Sequence, residues 1–258
     1  MPFGAHSVYV KGAAATCVVG YHRRMSGISI PYVICSILAF VPAIVLHEMG
    51  HAFAAYKLGD PTAKSQGRLS FNPIRHIDPF GTVLMPLMLM LLNMPIFGYA
   101  KPVPYNPQYF ENPRKGDLIV GLAGPAANLL QAAVGTGIAW AVWLGAKSSI
   151  MASYALMTTT GSTDLLGYFM LYFLPYYVLI NLFLMFFNIL PIPPLDGSSI
   201  FAFFCPVKYL PTYYKIQQYA LPIFLVVVIL VPQVLHVNPI GAYLDLTAYN
   251  LFDLVFPF

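Results

Sequence analysis

The stretch LAFVPAIVLHEMGHAFAAYKL, residues 38–58, places two histidines and a glutamate inside a largely apolar segment. In a helix, residues four apart lie on one face, so His47 and His51 can bind the same metal ion. Glu48 then lies beside the metal, where it can take a proton from a water molecule that zinc activates. An ionisable group in such a segment costs about 2–3 kcal/mol unless it is paired or bound to a metal. The pattern predicts a buried zinc site; a hydrogen-bonded group without metal is the alternative.

The composition of the chain is that of a membrane protein. Of its 258 residues, 59% are hydrophobic and 9% are charged, and its mean hydropathy is +0.71. Soluble proteins carry about 25% charged residues, so this chain lacks the charge to cover a water-facing surface. We expect an all-α, polytopic membrane protein of about five to six transmembrane helices, because apolar stretches of sufficient length recur. Short extended or re-entrant segments are expected near the site.

The predicted spans are the apolar segments at about 28–58, 81–97, 117–146, 167–190 and 216–235. They are separated by the polar or proline-rich segments 59–80, 98–116 and 147–164. Residues 237–258 are apolar enough to lie on the membrane or to pack against the helices.

Charge and cysteine content exclude some classes of function. The net charge is +4, and no run of basic residues is interleaved with aromatic residues, so no nucleic-acid partner is expected. The segment 57–80 holds four basic residues, against three each in the N-terminal segment and in 98–116. This small excess favours a cytoplasmic position for 57–80 but leaves the membrane orientation open. Cys17, Cys35 and Cys205 have unrelated spacings and predict neither a disulfide framework nor a cysteine-based zinc site.

A catalytic zinc ion needs a third protein ligand and one open position. Asp196 is the strongest candidate, because it follows the proline-rich break NILPIPPLDG, residues 188–197, between apolar segments. Irregular backbone at membrane depth occurs where protein or a wet cavity surrounds it. The alternative is that Asp196 caps a short helix at 198–204. The other acidic candidates are Asp60, Glu111, Asp117, Asp164 and Asp245.

Three further polar residues have open roles. Asn128 lies among small residues in a predicted span, where its amide either joins two helices or stabilises the substrate or the developing oxyanion. His76 and Asp78 lie in the loop NPIRHIDPFG. Four roles are open for them: alternative metal ligands, residues that hydrogen-bond to the ligands, residues of a substrate-binding loop, or ordinary polar groups of a loop.

Several motifs together resemble the site-2 protease family of intramembrane zinc metalloproteases. They are HEMGH at 47–51 with the following AFAAYKLGDPTAKSQGRLSFNPIRHIDPFGT, FGYAKPVPYNP at 97–107, GLAGPAANLL at 121–130 and NILPIPPLDG at 188–197. Together they span most of residues 25–235 in order. The chain looks most like the compact prokaryotic branch that lacks a PDZ domain and whose zinc helix is the first span.

The resemblance implies one zinc ion per chain, bound by His47, His51 and Asp196, with Glu48 as general base and acid. It also implies that Asn128 positions the substrate or stabilises developing charge. The implied activity is hydrolysis of peptide bonds in or near transmembrane segments, as in regulated intramembrane proteolysis, in a prokaryotic plasma membrane. The implied partners are a transmembrane protein substrate and the lipid bilayer, and the oligomeric state stays open. The segment 66–80 is a candidate to pair with the unwound substrate.

For the domain organisation, we expect an N-terminal extension at 1–24, of unknown role, and a single transmembrane protease domain at 25–258. Two other functions fit an intramembrane metal site: a metal transporter and an inactive homologue that binds membrane partners. A transport path needs polar groups at several depths, whereas here they cluster around His47 and Asp196. All the expected ligands and the base are present, which argues against an inactive homologue.

Overall fold

The structure, a computed structural model, describes residues 30–84, 88, 100–161 and 163–257. The predicted extension at 1–24 and most of the predicted span at 81–97 lie outside these residues. The described residues form helices, turns and irregular segments without any strand, which confirms the predicted all-α class.

The α-helices of the described residues are numbered in chain order. They are α1 (Ile30–Lys57), α2 (Thr62–Ser65), α3 (Pro113–Thr160), α4 (Leu165–Gly167), α5 (Leu174–Asn188), α6 (Ser198–Phe204), α7 (Leu210–Gln217), α8 (Ala220–Leu235), α9 (Pro239–Leu244) and α10 (Asn250–Val255). Single 3-10 turns occur at Pro73–His76, Pro107–Tyr109 and Val207–Tyr209, and wider π-helical turns at Pro79–Leu84, Tyr168–Phe173 and Asp245–Tyr249.

Three helical segments of the described residues are long and apolar enough to cross a membrane: Ile34–Lys57, Pro113–Thr160 and Leu165–Asn188. The predicted last span is divided between α7 and α8, and α8 has 16 residues. A helix perpendicular to the bilayer needs about 20 residues to cross it. The structure therefore supports a membrane protein, while the count of five to six spans stays a prediction.

Helix α3 is longer than the sequence predicted. Most of the expected polar interval at 147–164 is helical, since α3 continues to Thr160. Its threonines fit because their hydroxyl groups donate to carbonyls one turn back: Thr158 and Thr159 to Ala155, and Thr160 to Leu156. The helix is broken at Ala146, where φ is −135° and ψ is 27°. That break coincides with the predicted end of the third span.

The described residues form two compact units. The first comprises the described residues up to Val41, Leu130–Leu182 and the segment from Leu246 onward. The second, called here the site unit, comprises Pro42–Leu129 and Phe183–Asp245. In the first unit, helices are joined by polar contacts that have little competition from water in a bilayer: the Tyr177 hydroxyl donates to Gln131, and the Trp140 indole donates to the Val255 carbonyl.

In the site unit, the second half of α1 packs against two loops and the start of α3. Ala52 is fully buried with Ala63 and Val103. One turn later, Ala55 is buried with Phe110 and Val120. These small residues let the loops at 59–76 and 100–110 lie close to the helix that carries the histidines.

Two buried charged residues tie these loops together. Asp60 is fully buried and accepts hydrogen bonds from the Thr62 amide (2.8 Å), the Thr62 hydroxyl (2.5 Å) and the Asn106 amide (2.6 Å). Arg68 is 6% exposed, and its Nη2 atom donates to the carbonyls of Lys101 and Pro102, both at 2.9 Å. Each charge is thus compensated by backbone groups, and segment 100–106 is held in place.

We expect Asp60→Ala to lower the free energy of unfolding by about 3 kcal/mol, because it leaves three partly buried donors without their acceptor. Thermal unfolding of the purified protein in detergent measures this loss. Asp245→Ala removes an exposed carboxylate of the same unit and should leave the unfolding temperature almost unchanged. Equal unfolding temperatures for the two variants would contradict the role given to Asp60.

Candidate active site

Three acceptor atoms from two distant parts of the chain converge in the site unit. The Nε2 atoms of His47 and His51 lie 3.1 Å apart on one face of α1, as the spacing of four residues predicts. The Asp196 Oδ2 atom, just before α6, lies 3.0 Å from His47 Nε2 and 3.3 Å from His51 Nε2. Among the described residues, these three form the only group of His, Cys, Asp or Glu side chains suited to hold a metal ion.

The hydrogen bonds behind the imidazoles determine which nitrogen carries the proton. His51 Nδ1 lies 2.7 Å from the Val120 carbonyl oxygen, so it must be the donor. His47 Nδ1 lies 2.5 Å from Asn128 Oδ1, while the Asn128 amide donates to the Ala43 carbonyl at 3.2 Å. That second bond assigns the orientation of the amide and makes His47 Nδ1 a donor as well. In its neutral form, each ring therefore presents an unprotonated Nε2 atom to Asp196.

The geometry of the three atoms fits a tetrahedral zinc ion. Bonds of about 2.0–2.1 Å place the ligands of such an ion roughly 3.3–3.4 Å apart, close to the separations seen here. Asp196 Oδ2 is buried and has no hydrogen-bond donor among the described residues. Three acceptors at these distances repel one another unless positive charge lies between them. A proton bridges one pair, whereas a metal ion contacts all three.

The break before α6 orients Asp196. Between Asn188 and Gly197 the chain folds back so tightly that the Gly197 amide donates to the Asn188 carbonyl at 2.6 Å. A Cβ atom at Gly197 would collide with the carbonyl oxygens of Ile189 and Leu190, so glycine is required there. The Asp196 side chain faces the imidazoles and makes no bond to the first amides of α6. The alternative interpretation of Asp196 as a helix cap is therefore wrong.

Burial and neighbouring charge act in opposite directions on Asp196. Burial alone raises the pKa of a carboxyl group, because it favours the neutral acid. Positive charge on the facing rings of His51 and His47 outweighs burial and lowers the pKa of Asp196 below its ordinary value. A metal cation between the three groups supplies positive charge at the same place. The group is ionised and provides the negative charge that a divalent cation requires.

Helix α3 supports the imidazoles through glycine. A Cβ atom at Gly124 would contact His51 Nε2 and lie 2.7 Å from His47 Cε1. On the facing helix, a Cβ atom at Gly50 would lie 2.6 Å from the Ala123 carbonyl oxygen. Small residues allow such close contact between membrane helices. The backbone of α3 therefore packs directly against the two imidazole rings.

Asn128 is fully buried, and both ends of its amide contact residues of α1. This geometry supports an orienting role for Asn128 behind His47. The role toward substrate that the sequence suggested stays a prediction.

Glu48 lies at the wall of a cavity of about 470 Å³ next to these residues. It is 9% exposed, and no hydrogen bond from the described residues engages its carboxylate. His51 and Asp196 line the same cavity. The carboxylate is therefore available to a water molecule or a substrate amine within the cavity.

The same cavity is also lined by polar residues that the sequence did not single out as catalytic. The Tyr105 hydroxyl donates to Asp117 Oδ1 at 2.6 Å, and burial together with Asp117 raises the pKa of this tyrosine. Burial also raises the pKa of Tyr213 and Tyr214. The Arg114 guanidinium donates to the carbonyls at the end of α6, those of Ala202, Phe203 and Cys205. Sequence reasoning missed these residues because their contacts join segments that lie far apart in the chain.

The remaining candidates lie elsewhere. The buried His76 ring contacts the Ser70 carbonyl through Nε2 at 2.8 Å, and Asp78 accepts from the Phe80 and Gly81 amides. Asp164 accepts from Gly167 at the start of a helix, Asp60 holds the loops, and Asp117 faces Tyr105. None of the described acidic candidates except Asp196 joins the histidine pair.

The comparison with protein families agrees with this geometry. A family model described as "Peptidase family M50" matches residues 35–231. The chain belongs to peptidase family M50. The match begins within α1 and includes every residue of the candidate site. It confirms the resemblance to the site-2 proteases and the prediction of a peptidase.

Individual members of the family support the assignment. The chain is 35% identical over 214 residues to "Putative zinc metalloprotease YwhC" of Bacillus subtilis, and the match covers 83% of each protein. It is 30% identical over 186 residues to "Putative zinc metalloprotease Rip2" of Mycolicibacterium smegmatis, covering 72% of this chain and 62% of the relative. No solved structure matches the chain at a significant level.

We expect Gly124→Ala to weaken zinc binding at least about tenfold, because its methyl group displaces the two imidazoles. Competition with a chromogenic chelator measures the affinity. Gly137→Ala is the matched control on the same helix, since a Cβ atom there meets nothing within 4 Å. Equal affinities in the two variants would show that α3 does not support the histidines.

Asn128→Ala should lower zinc affinity by about 10–100-fold, the usual effect of removing the hydrogen-bond partner of a metal-binding histidine. Peptide cleavage at saturating zinc should largely recover. Unchanged zinc affinity with a persistent loss of kcat would instead support the role toward substrate.

Proposed function

We propose that this chain is a zinc metalloprotease that hydrolyses peptide bonds in or near the transmembrane segments of other membrane proteins. The observation that carries the proposal is the triangle of His47 Nε2, His51 Nε2 and Asp196 Oδ2 beside Glu48, in a member of peptidase family M50. Relatives named as zinc metalloproteases support the choice of metal.

The donor set suits one zinc ion per chain. Two neutral imidazoles and one carboxylate leave the bound ion with a net positive charge, and three protein ligands leave one position open. A zinc ion held there supplies Lewis-acid activation, which lowers the pKa of water towards about 7 and makes a nucleophile available at neutral pH. The hydrogen bonds to Val120 and Asn128 keep both imidazoles in the tautomer that binds a metal.

Glu48 is the proposed general base and acid. It directly follows His47 on α1 and faces the cavity, so its carboxylate lies next to the metal ligands without being one of them. It accepts a proton from the attacking water and then delivers it to the leaving amine. The burial of Glu48 limits competition from bulk water for both transfers.

The proposed substrates are transmembrane proteins, because the site lies in a helix apolar enough to cross the bilayer. A peptide bond must reach that helix within or close to the membrane, where lipid surrounds substrate and enzyme. The matched relatives are bacterial, which supports the plasma membrane of a prokaryotic cell as the location. We assign the protease domain to 25–258, in keeping with the family match from residue 35 to 231.

The rival functions make different demands on the polar residues. A transporter needs ligands at successive depths, whereas the described residues contain a single metal-binding group. An inactive homologue needs neither a free carboxylate nor a cavity beside the metal ligands. The position of Glu48 on that cavity therefore favours hydrolysis.

We expect Glu48→Gln to bind zinc stoichiometrically but to cleave a membrane substrate at least about 100-fold more slowly, because the proton acceptor is lost. Metal analysis and a gel-based cleavage assay of the purified full chain measure the two quantities. Glu111→Gln is the matched control, since it alters the other glutamate of the chain, which is exposed. Cleavage by Glu48→Gln at the rate of that control would refute the proposal. Zinc flux across vesicles that depends on His47 would indicate a transporter instead.

A further inference from the structure

The cavity beside Glu48 has a second polar wall that the proposed chemistry does not use. Asp117, in the second turn of α3, lines this wall together with Tyr105, Tyr213, Tyr214 and Gln217. These residues belong to the same compact unit as the metal ligands. A substrate bound at Glu48 therefore shares one cavity with Asp117.

Asp117 forms no ion pair with any residue that the structure describes. Within the described residues, the ion-pair contacts below 4.0 Å join Asp196 to the two histidines, and none involves Asp117. Arg114 lies one turn earlier on α3, but its guanidinium is directed to the three carbonyls at the end of α6. Arg114 also lines the cavity, but no cation within the described part of the chain forms an ion pair with Asp117.

The Tyr105 hydroxyl orients the Asp117 carboxylate. It donates to Oδ1 at 2.6 Å, and no hydrogen bond from the described residues is directed to Oδ2. The carboxylate is thus held in one position, while one of its oxygens stays available to a ligand. A rigid acceptor in a cavity is suited to bind a donor with positive charge.

The aromatic residues around Asp117 suit the rest of such a ligand. Long basic side chains bury their aliphatic stems against apolar surface and keep the charged group with polar partners. The rings of Tyr105, Tyr213 and Tyr214 offer such a surface, and their faces also attract cations. A short or purely apolar side chain would leave the carboxylate desolvated and unpaired.

We propose that Asp117 and Tyr105 form a subsite that binds a lysine or arginine side chain of the substrate close to the scissile bond. This inference rests on the proposed proteolytic function and specifies its substrate class. Asp117 is the fifth residue of α3 and so lies near one end of a membrane-spanning helix. Membrane proteins carry lysine and arginine in the segments that flank their spans on the cytoplasmic side. The preferred substrate therefore has a basic residue at the membrane boundary.

The test uses the purified full chain with zinc in detergent and single-span model polypeptides. First, the wild-type cleavage site in one polypeptide is identified by mass spectrometry. Lysine, and in a second series methionine, is then placed in turn at each of the four positions on either side of that site. Methionine matches lysine in length and flexibility but carries no charge. The ratio of kcat/KM for the two series measures charge preference at each position.

We expect the wild type to prefer lysine by about tenfold at one position, as for a charge-assisted hydrogen bond. Asp117→Asn should bring that ratio close to one, and Tyr105→Phe should reduce it by less, because the carboxylate remains but is less well oriented. Asp117→Lys should prefer glutamate at the same position. Glu111→Gln should keep the wild-type ratio.

The outcomes separate this inference from the proposed function. If the wild type cleaves none of the polypeptides and Glu48→Gln behaves identically, the proteolytic function fails. If the wild type cleaves both series equally, or if Tyr105→Phe and Asp117→Asn keep the lysine preference, the subsite is refuted. Zinc content and unfolding temperature identify a variant that does not fold. Should Asp117→Asn be such a variant, the ratio for Tyr105→Phe decides: an unchanged ratio overturns the inference.

Discussion

The mutual repulsion of three acceptor atoms, held 3.0–3.3 Å apart, is the constraint on which the rest of this site depends. Two unprotonated imidazole nitrogens and an ionised carboxylate do not remain in contact unless a cation lies between them. The hydrogen bonds to Val120 and Asn128 prevent the rings from turning away to relieve the repulsion. The fold thereby holds three potential metal ligands in advance, as the proposed catalytic centre requires.

Close contact between α1 and α3 makes this preparation possible. The imidazoles lie against the backbone of α3 at Gly124, and the Ala123 carbonyl of α3 lies against Gly50 of α1. Bulkier residues at these places would move the helices apart and lengthen the bonds behind the histidines. Here the small residues that favour association of membrane helices also determine the geometry of the chemical site.

Buried charged residues in the loops also hold the segments that line the cavity. Asp60 and Arg68 hold the segment that carries Tyr105, and Arg114 holds the end of the helix that follows Asp196. All three satisfy backbone groups instead of pairing with one another. The walls of the cavity are therefore rigid, while the carboxylates of Glu48 and Asp117 remain available to ligands.

The sequence by itself determined what depends on local spacing and composition. Local spacing and composition predict the apolar helical segment within 28–58 and the shared face of His47 and His51. They also predict a membrane environment and a candidate metal site. The sequence left open which carboxylate completes the site, because contacts between distant segments are not encoded in any local period. Tertiary structure decided that Asp196 faces the imidazoles, that Asn128 stands behind His47, and that Asp117 meets Tyr105. The tertiary structure also shows that α3 continues to Thr160, beyond its predicted end at 146. The threonine hydroxyl groups there donate to carbonyls within the helix, so they do not require a loop.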